Sequence, residues 1–117
     1  MSFSASTPIY LQVVDRLKRD IVSGRRAPGE RLESVRALAE GYGINLNTVQ
    51  RACAQLEREG VIVTRRGVGS FVTEDRALLE RLREEMADEV AARFRAEMEA
   101  LGFTWEEAQA RLRGGNA

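Results

Sequence analysis

Amide, hydroxyl and guanidinium side chains crowd the start of one helical pattern, in the stretch NLNTVQR at residues 45–51. Asn45, Asn47, Thr48, Gln50 and Arg51 all fall here, although a capped helix start needs only one such side chain. Amides can pair with adenine through two hydrogen bonds, and a guanidinium suits guanine or phosphate. Their number indicates that this helix start faces something outside the protein.

A second group of candidate residues lies in the stretch RRGVG, where Arg65 and Arg66 are followed by Gly67 and Gly69. The flanking runs VIVT and SFVT have the composition of strands, so this stretch is predicted to be the tip of a two-stranded hairpin. The glycines permit both a tight turn and close approach to a duplex. The tip therefore predicts contact with a minor groove or with phosphates, although a solvated hairpin turn would have the same composition.

The amino-acid composition does not favour catalysis or metal binding. The 117 residues include no histidine and a single cysteine, Cys53, so the commonest general base and zinc ligand is missing. Cys53 falls on an apolar helix face and is predicted to be a small core filler rather than a redox sensor. No set of nucleophile, base and orienting group can be recognised, and the GVGS run lies in the hairpin rather than before a helix. No cofactor and no enzymatic activity are expected.

Charge is distributed unevenly along the chain, although the formal net charge is zero. Residues 1–73 hold 11 basic and 7 acidic residues, whereas residues 74–117 hold 7 basic and 11 acidic ones. A basic front and an acidic back would orient the molecule toward a polyanion. No apolar run is long enough to span a bilayer, and the start MSFSASTPIY lacks the pattern of a signal sequence. A cytoplasmic protein without a membrane partner is expected.

The first helix is predicted to begin with Thr7 as its N-cap and Pro8 in the first helical position, and to end at Gly24. Apolar residues recur on one face of it at helical spacing, namely Tyr10, Val13, Val14, Leu17 and Ile21. The stretch APGERL that follows predicts a turn around Pro28 and Gly29.

Two further helices follow each other so closely that they predict a helix-turn-helix unit. Ser34 is the expected N-cap of a short helix that Gly43 ends, and Asn45 caps the next helix, which ends at Gly60. The inner face of this last helix consists of Val49, Ala52, Cys53 and Leu56. Its polar residues then face outward at the N-terminal end, which is the part of a recognition helix that meets base edges. With the hairpin as a wing, the predicted fold class is mainly α with a small β-hairpin, a winged helix-turn-helix domain.

Residues 75–117 are predicted to be a helical dimerisation tail that follows a winged domain in residues 1–74. A long helix runs to about residue 100, and Thr104 caps a short last helix with Glu107 as its capping-box partner. A tail this short seldom forms a core alone. It either folds back on the winged domain or pairs with a second chain, and pairing is favoured because such domains read two half-sites. The residues expected at the dimer interface are Leu79, Leu82, Met86, Val90, Phe94, Met98, Leu101 and Trp105.

The segments PIYLQVVDRLKRDIVSG and PGERLESVRALAEGYGINLNTVQRACAQLEREGVIVTRRGVGSFV, within residues 8–73, resemble the winged-helix domain of the GntR family of bacterial transcription regulators. The two-helix tail resembles the YtrA subfamily, which lacks the larger effector domain of other branches. The resemblance implies a homodimer that binds a palindromic operator, generally as a repressor, with the tail as its dimerisation element. Arg36 matches the family's DNA-contacting arginine, and Asn47 and Thr48 match the start of its recognition helix. The family's wing tip is matched by Arg66, Gly67 and Gly69.

Four positions depart from the family's pattern. Glu33 stands where proline is usual and brings an acid near the expected DNA face, which is mildly unfavourable. Ala37 replaces a capping-box glutamate, and Leu46 replaces a common proline or arginine. Gln50 stands where arginine is frequent, and glutamine favours adenine whereas arginine favours guanine. No known operator sequence is therefore carried over to this chain.

These patterns together predict a sequence-specific DNA-binding transcription regulator, expected to repress from a palindromic operator as a homodimer. The predicted DNA-binding residues are Ser34, Arg36, Asn45, Asn47, Thr48, Gln50, Arg51, Arg65, Arg66, Gly67 and Gly69. Asn45 needs no role beyond capping, and Arg36 could simply pair with Glu40 one turn later. The alternative function is a winged helix that docks proteins and reads no DNA. A small-molecule effector is possible but not indicated, because so short a tail leaves little room for a pocket, although Met98 and Trp105 could line a small apolar site.

Overall fold

The protein is described by a computed structural model that covers residue 3 and residues 5–114. The helices and strands of these described residues are α1 (Ile9–Val22), α2 (Val35–Tyr42), α3 (Leu46–Arg58), β1 (Ile62–Arg65), β2 (Gly69–Val72), α4 (Arg76–Ala100) and α5 (Trp105–Leu112). The mainly helical fold with one antiparallel hairpin confirms the predicted fold class. The chain divides within α4 into two compact units, Met1–Arg81 and Leu82–Ala117. The predicted domain boundary after residue 74 lies ahead of that division, where α4 has not yet begun.

The helix-turn-helix unit is set by local capping, as the sequence predicts. The Ser34 side chain accepts a hydrogen bond of 3.0 Å from the backbone N–H of Ala37, and so begins α2. Gly43 then ends α2 in the left-handed conformation, with φ +69°, which costs glycine nothing. The Asn45 side chain accepts a 2.7 Å bond from the N–H of Asn47 and begins α3. Two helices are thereby joined by a very short turn.

The start of α1 differs from the prediction that Thr7 caps it. Pro8 is itself the cap residue, in an extended conformation, and no side chain caps this helix. The Pro8 carbonyl accepts bonds from the N–H groups of Leu11 and Gln12, at 3.1 and 3.3 Å. Thr7 contributes its backbone carbonyl, to which the Gln12 side chain donates a 2.8 Å bond. The prediction was wrong because proline fixes φ near the helical value but leaves ψ free to stay extended.

The core of the first unit is built from the apolar faces of α1, α2 and α3 together with the hairpin. Leu17, Val49 and Leu56 are at most 1% exposed. The other buried apolar residues of this unit are Val13, Val14, Ile21, Leu32, Leu38, Ala39, Ala52, Val61, Ile62, Val72 and Leu79. Since Val49, Ala52 and Leu56 all face inward, the intervening polar residues of α3 are directed outward.

The hairpin has a third partner that the sequence does not predict. Strands β1 and β2 pair in antiparallel register from Ile62 opposite Val72 to Arg65 opposite Gly69. Residues 30–32 then pair with the other edge of β2: Leu32 N–H donates to the Ser70 carbonyl, and Val72 N–H donates to the Glu30 carbonyl, both at 2.8 Å. The predicted turn at Pro28 and Gly29 is confirmed by a 2.9 Å bond from Glu30 N–H to the Ala27 carbonyl. The chain after that turn is extended and braces the wing.

The second unit holds most of α4 and all of α5. The predicted capping box is confirmed, because Glu107 N–H donates to the Thr104 hydroxyl at 3.1 Å and Thr104 N–H donates to the Glu107 carboxylate at 2.8 Å. The Phe94 and Trp105 rings meet edge to face, with centroids 6.2 Å apart. This contact fixes α5 against the end of α4, as aromatic pairs of this geometry do.

Candidate nucleic-acid interface

The leading end of α3 presents polar side chains to solvent. Asn47, Gln50 and Arg51 are exposed, and Thr48 is half-buried. Within the part of the chain that the structure describes, the side chains of Asn47 and Gln50 have no hydrogen-bond partner. Asn45 differs from them, because its amide oxygen is occupied as the N-cap. Two amides are therefore free to form the bidentate pairs that adenine accepts.

The charge environment of this helix end favours an anion. The backbone N–H groups of the first turn lie at the positive end of the helix dipole, where phosphate is stabilised. Arg51 adds a guanidinium that stacks on the Tyr10 ring of α1, with 3.8 Å between the guanidinium carbon and the ring centroid. The sequence predicts Arg51 as a DNA-binding residue but gives no sign of this contact.

The start of α2 contributes two of the predicted residues. Ser34 uses its hydroxyl as the N-cap, and Arg36 is exposed in the first turn. The simpler possibility for Arg36, an ion pair with Glu40, is not formed, since Arg36 has no ion-pair partner among the described residues. Its guanidinium remains available to phosphate or to a base.

Glu33 does not present a free carboxylate at this face. Both of its oxygens accept bonds from the Arg26 guanidinium, one of them at 3.1 Å, and Arg26 also bonds Asp20 at 3.4 Å. The hydrogen bond from Arg26 holds the pKa of Glu33 below its ordinary value, and the bond to Glu33 raises the pKa of Arg26. The unfavourable acid expected from the sequence is therefore part of a neighbouring ion-pair cluster.

The wing tip carries two exposed arginines. Arg65 lies over the Phe71 ring, with 5.0 Å from the guanidinium carbon to the centroid, and Arg66 is exposed beside it. Val68 N–H donates a 2.9 Å bond to the Arg65 carbonyl and closes the turn. Gly67 takes φ +75° there, a conformation that other residues rarely adopt. Because Gly67 has no side chain, the backbone of the tip is directly accessible there.

Arg31 lies outside the hairpin but contacts the wing, which the sequence does not predict. Its Nη2 donates a 2.6 Å hydrogen bond to the Val68 carbonyl. Its Nε lies 2.9 Å from where a Cβ on Gly69 would stand, so glycine is needed for this approach. The alternation of Glu30, Arg31 and Leu32 is the one local signal of an extended strand here.

A cavity of about 190 Å³ lies between the start of α2 and strand β2 of the wing. Ser34 and Leu38 line one side, Gly69 and Ser70 another, and Cys53 also borders it. Burial raises the pKa of the half-buried Cys53 thiol, which keeps it protonated and poorly nucleophilic. Because both segments line one cavity, the cap residue of α2 and the start of β2 are neighbours.

The residues predicted at the dimer interface differ in their exposure. Leu79 belongs to the first unit and is 7% exposed. Val90 and Leu101 are 47% and 73% exposed. The remaining five are half-buried, namely Leu82, Met86, Phe94, Met98 and Trp105. Apart from Leu79, these residues leave apolar surface uncovered in the single chain.

Among the described residues, the helices are too short or too polar to cross a lipid bilayer.

Comparisons with known proteins agree with this geometry. The model of the gntR family of bacterial regulatory proteins matches residues 9–72. The HTH-type transcriptional regulator YhcF of Bacillus subtilis (strain 168) is 39% identical over 105 residues, which are 90% of this chain and 87% of YhcF. The HTH-type transcriptional repressor YtrA of the same organism is 45% identical over 71 residues, 61% of this chain and 55% of YtrA.

Structural similarity extends over nearly the whole chain. The structure of a GntR family transcriptional regulator from Listeria monocytogenes matches with a TM-score of 0.87 at 38% sequence identity. The match covers 96% of this chain and 98% of that one. The chain described here therefore belongs to the GntR family of bacterial transcription regulators, with a DNA-binding winged helix.

Proposed function

We propose that this regulator is a repressor that binds a palindromic operator as a homodimer, with the start of α3 in the major groove and the wing along the minor groove. The observation that carries the proposal is the exposed, unpartnered pair of amides at the leading end of α3, Asn47 and Gln50. Amides held on a rigid helix without internal partners are suited to base edges, because pairing there costs them no existing bond.

The exposed arginines of α2 and of the wing have a different role. Arg36 is exposed in the first turn of α2, and Arg65 and Arg66 are exposed at the wing tip. Phosphate contacts of this kind fix register and orientation but carry no sequence information. The shared cavity between Ser34 and Gly69 supports a single continuous face that includes α2 and the wing.

Dimerisation through the second unit is supported by the apolar surface that α4 leaves uncovered. Val90 is 47% exposed and Leu101 is 73% exposed. Burying such residues against a second copy would stabilise the dimer by roughly 25 cal/mol per Å² of apolar area. A dimer would read two half-sites about one helical turn of DNA apart. Repression is supported by the similarity of this chain to YtrA, which is a transcriptional repressor. The proposed binding partner of this regulator is double-stranded operator DNA, and its proposed location is the cytoplasm.

Selection from a random pool of duplexes, using the full chain, tests the proposal. Enrichment of a palindrome, with a dimer in sedimentation velocity and lower output from a reporter promoter that carries the palindrome, is the expected result. A chain that enriches no sequence over scrambled DNA would instead favour the protein-docking alternative. A monomer on a single half-site would contradict the homodimer.

A further inference from the structure

The aromatic ring of Tyr10 lies under the guanidinium of Arg51 and joins α1 to the outer face of α3. The guanidinium carbon is 3.8 Å from the ring centroid, which is the separation of direct stacking. Tyr10 is half-buried and Arg51 is exposed. The ring is therefore held by the protein on one side, whereas the guanidinium is open to solvent on the other.

Stacking restricts the guanidinium without using its hydrogen-bond donors. The contact occupies one flat face of the group, and all N–H bonds of a guanidinium lie in its plane. Among the described residues, Arg51 has no ion-pair partner. An arginine on a flexible stem loses side-chain freedom when it binds, and one already ordered on a ring loses less. Arg51 is thus already ordered, and the N–H groups along the edge of its guanidinium remain available to bind an anion.

The position of Arg51 on α3 indicates which part of a duplex it meets. Asn47 and Arg51 are four residues apart, so they lie on the same side of the helix, with Arg51 one turn farther from the leading end. The leading end of a recognition helix enters the groove and reads base edges. The Arg51 guanidinium lies one turn behind this leading end and against α1. We therefore expect it to lie at the rim of the groove, beside the phosphates.

We propose that Tyr10 is a positioning residue for DNA binding, which holds the Arg51 guanidinium ready for a backbone phosphate at the rim of the major groove. The inference rests on the proposed function and adds to it a residue of α1 that does not itself touch DNA. The packing of α1 on α3 does not depend on this contact alone, because both helices bury apolar residues in the core of the first unit, among them the fully buried Val13 and Val49.

Four variants of the full chain test the role, on the duplex recovered from the random pool. Arg51→Ala is expected to weaken binding about tenfold and to lower the salt slope by about one, since one phosphate contact is lost. Tyr10→Leu is expected to weaken binding about three- to tenfold with the slope unchanged, since the contact still forms from a disordered side chain. Tyr10→Phe keeps the ring and should bind within about twofold of wild type. The double variant Tyr10→Leu/Arg51→Ala should match Arg51→Ala alone.

Comparison of the double variant with the two single variants shows whether Tyr10 acts through Arg51 or only supports the fold. Losses that multiply in the double variant would overturn the proposal, and so would an unchanged affinity in Tyr10→Leu. Arg51→Lys provides a variant at an exposed position that leaves the core intact; it keeps the charge but stacks poorly, and should behave like Tyr10→Leu. Thermal unfolding of each variant checks that the fold is kept. A wild type that prefers no duplex refutes the proposed function itself, whereas a specific wild type with independent losses refutes only the role of Tyr10.

Discussion

Arg31 donates a 2.6 Å hydrogen bond from Nη2 to the carbonyl oxygen of Val68, across 37 residues of chain. The bond joins the strand-like segment after the Pro28 turn to the wing tip, and both ends are exposed. A charged donor bonded to a tip carbonyl restricts where that tip can move. The shape of the wing therefore depends on a residue outside the hairpin.

Arg31→Met should loosen the wing tip, because methionine keeps much of the side-chain length but has no donor for the Val68 carbonyl. We expect specific DNA affinity to fall about three- to tenfold, while the free energy of unfolding falls by about 1 kcal/mol or less. Anisotropy titration and urea unfolding measure the two effects. Arg25→Met removes the same charge from a side chain that is 74% exposed, and serves as the control. Equal affinities for the two variants would contradict the bracing role.

Gly69→Ala should destabilise the protein more than Gly67→Ala. Both glycines have positive φ, +144° and +75°, but an alanine Cβ at position 69 would lie 2.9 Å from Nε of Arg31, whereas position 67 has open space. Strain of the backbone alone costs about 1–3 kcal/mol, and the crowding adds to it at position 69. Urea unfolding of the two variants measures the difference. Equal losses for the two variants would show that Arg31 moves aside freely, and a larger loss for Gly67→Ala would contradict the effect of crowding.

Asn47→Ala and Arg65→Ala should both weaken DNA binding, but only Asn47→Ala should reduce the preference for the specific duplex. Loss of the Asn47 amide removes a base contact, so the specific duplex should lose about 1–3 kcal/mol of binding free energy and scrambled DNA very little. Loss of the Arg65 guanidinium should weaken all duplexes alike and flatten the salt slope by about one. Titrations on both duplexes at two salt concentrations compare them. Equal losses on both DNAs for Asn47→Ala would count against base reading.

Glu33→Gln should lower stability at neutral pH but not in acid. The pKa of Glu33 lies below its ordinary value because Arg26 donates hydrogen bonds to the carboxylate. A lowered pKa means that the pair stabilises the fold above the unfolded pKa, near 4.3, and that this contribution is lost as pH falls through the folded value. The Glu33 side chain is 50% exposed, so about 0.5–1 kcal/mol is expected at pH 7.

The comparison of urea unfolding at pH 7 and at an acid pH below the pKa of folded Glu33 isolates that contribution, since the wild type and Glu33→Gln should converge there. Glu40→Gln, at an exposed position of α2, serves as a matched control and should show no such difference. A gap between wild type and Glu33→Gln that persists unchanged in acid would mean that the carboxylate charge is not its source.

The local features of the fold could be predicted from the sequence, because the side chains that set them are near in the chain. Asn45 caps the helix that it begins, and Gly43 supplies the left-handed residue that ends the previous one. The period of Val49, Ala52 and Leu56 orients α3 and so predicts which residues are exposed. These are short-range effects of capping and burial.

The contacts that shape the candidate site could not be predicted, because each of them depends on how the chain folds between the partners, across seven residues for Arg26 and Glu33 and across 41 for Tyr10 and Arg51. Nothing near Arg51 indicates that its guanidinium stacks on Tyr10, and nothing near Glu33 indicates Arg26 as its partner. The partner of the apolar stripe in the tail could not be predicted either. The spacing of its residues shows that this face must be covered, but it does not show which surface covers it. Leu79 illustrates it: placed with the dimer residues by its spacing, it is covered within the single chain.

Val90→Glu should separate the proposed dimer. Val90 is 47% exposed in the single chain and lies within the apolar stripe of α4. A symmetric dimer would bury the new carboxylate twice, so its dissociation constant should rise at least about tenfold in sedimentation analysis. Affinity for the full palindrome should fall with it, because each half-site would then be bound alone. Ala92→Glu places the same charge about 200° around the helix and should leave the assembly intact. Equal dissociation constants for the two variants would mean that the dimer, if formed, uses another surface.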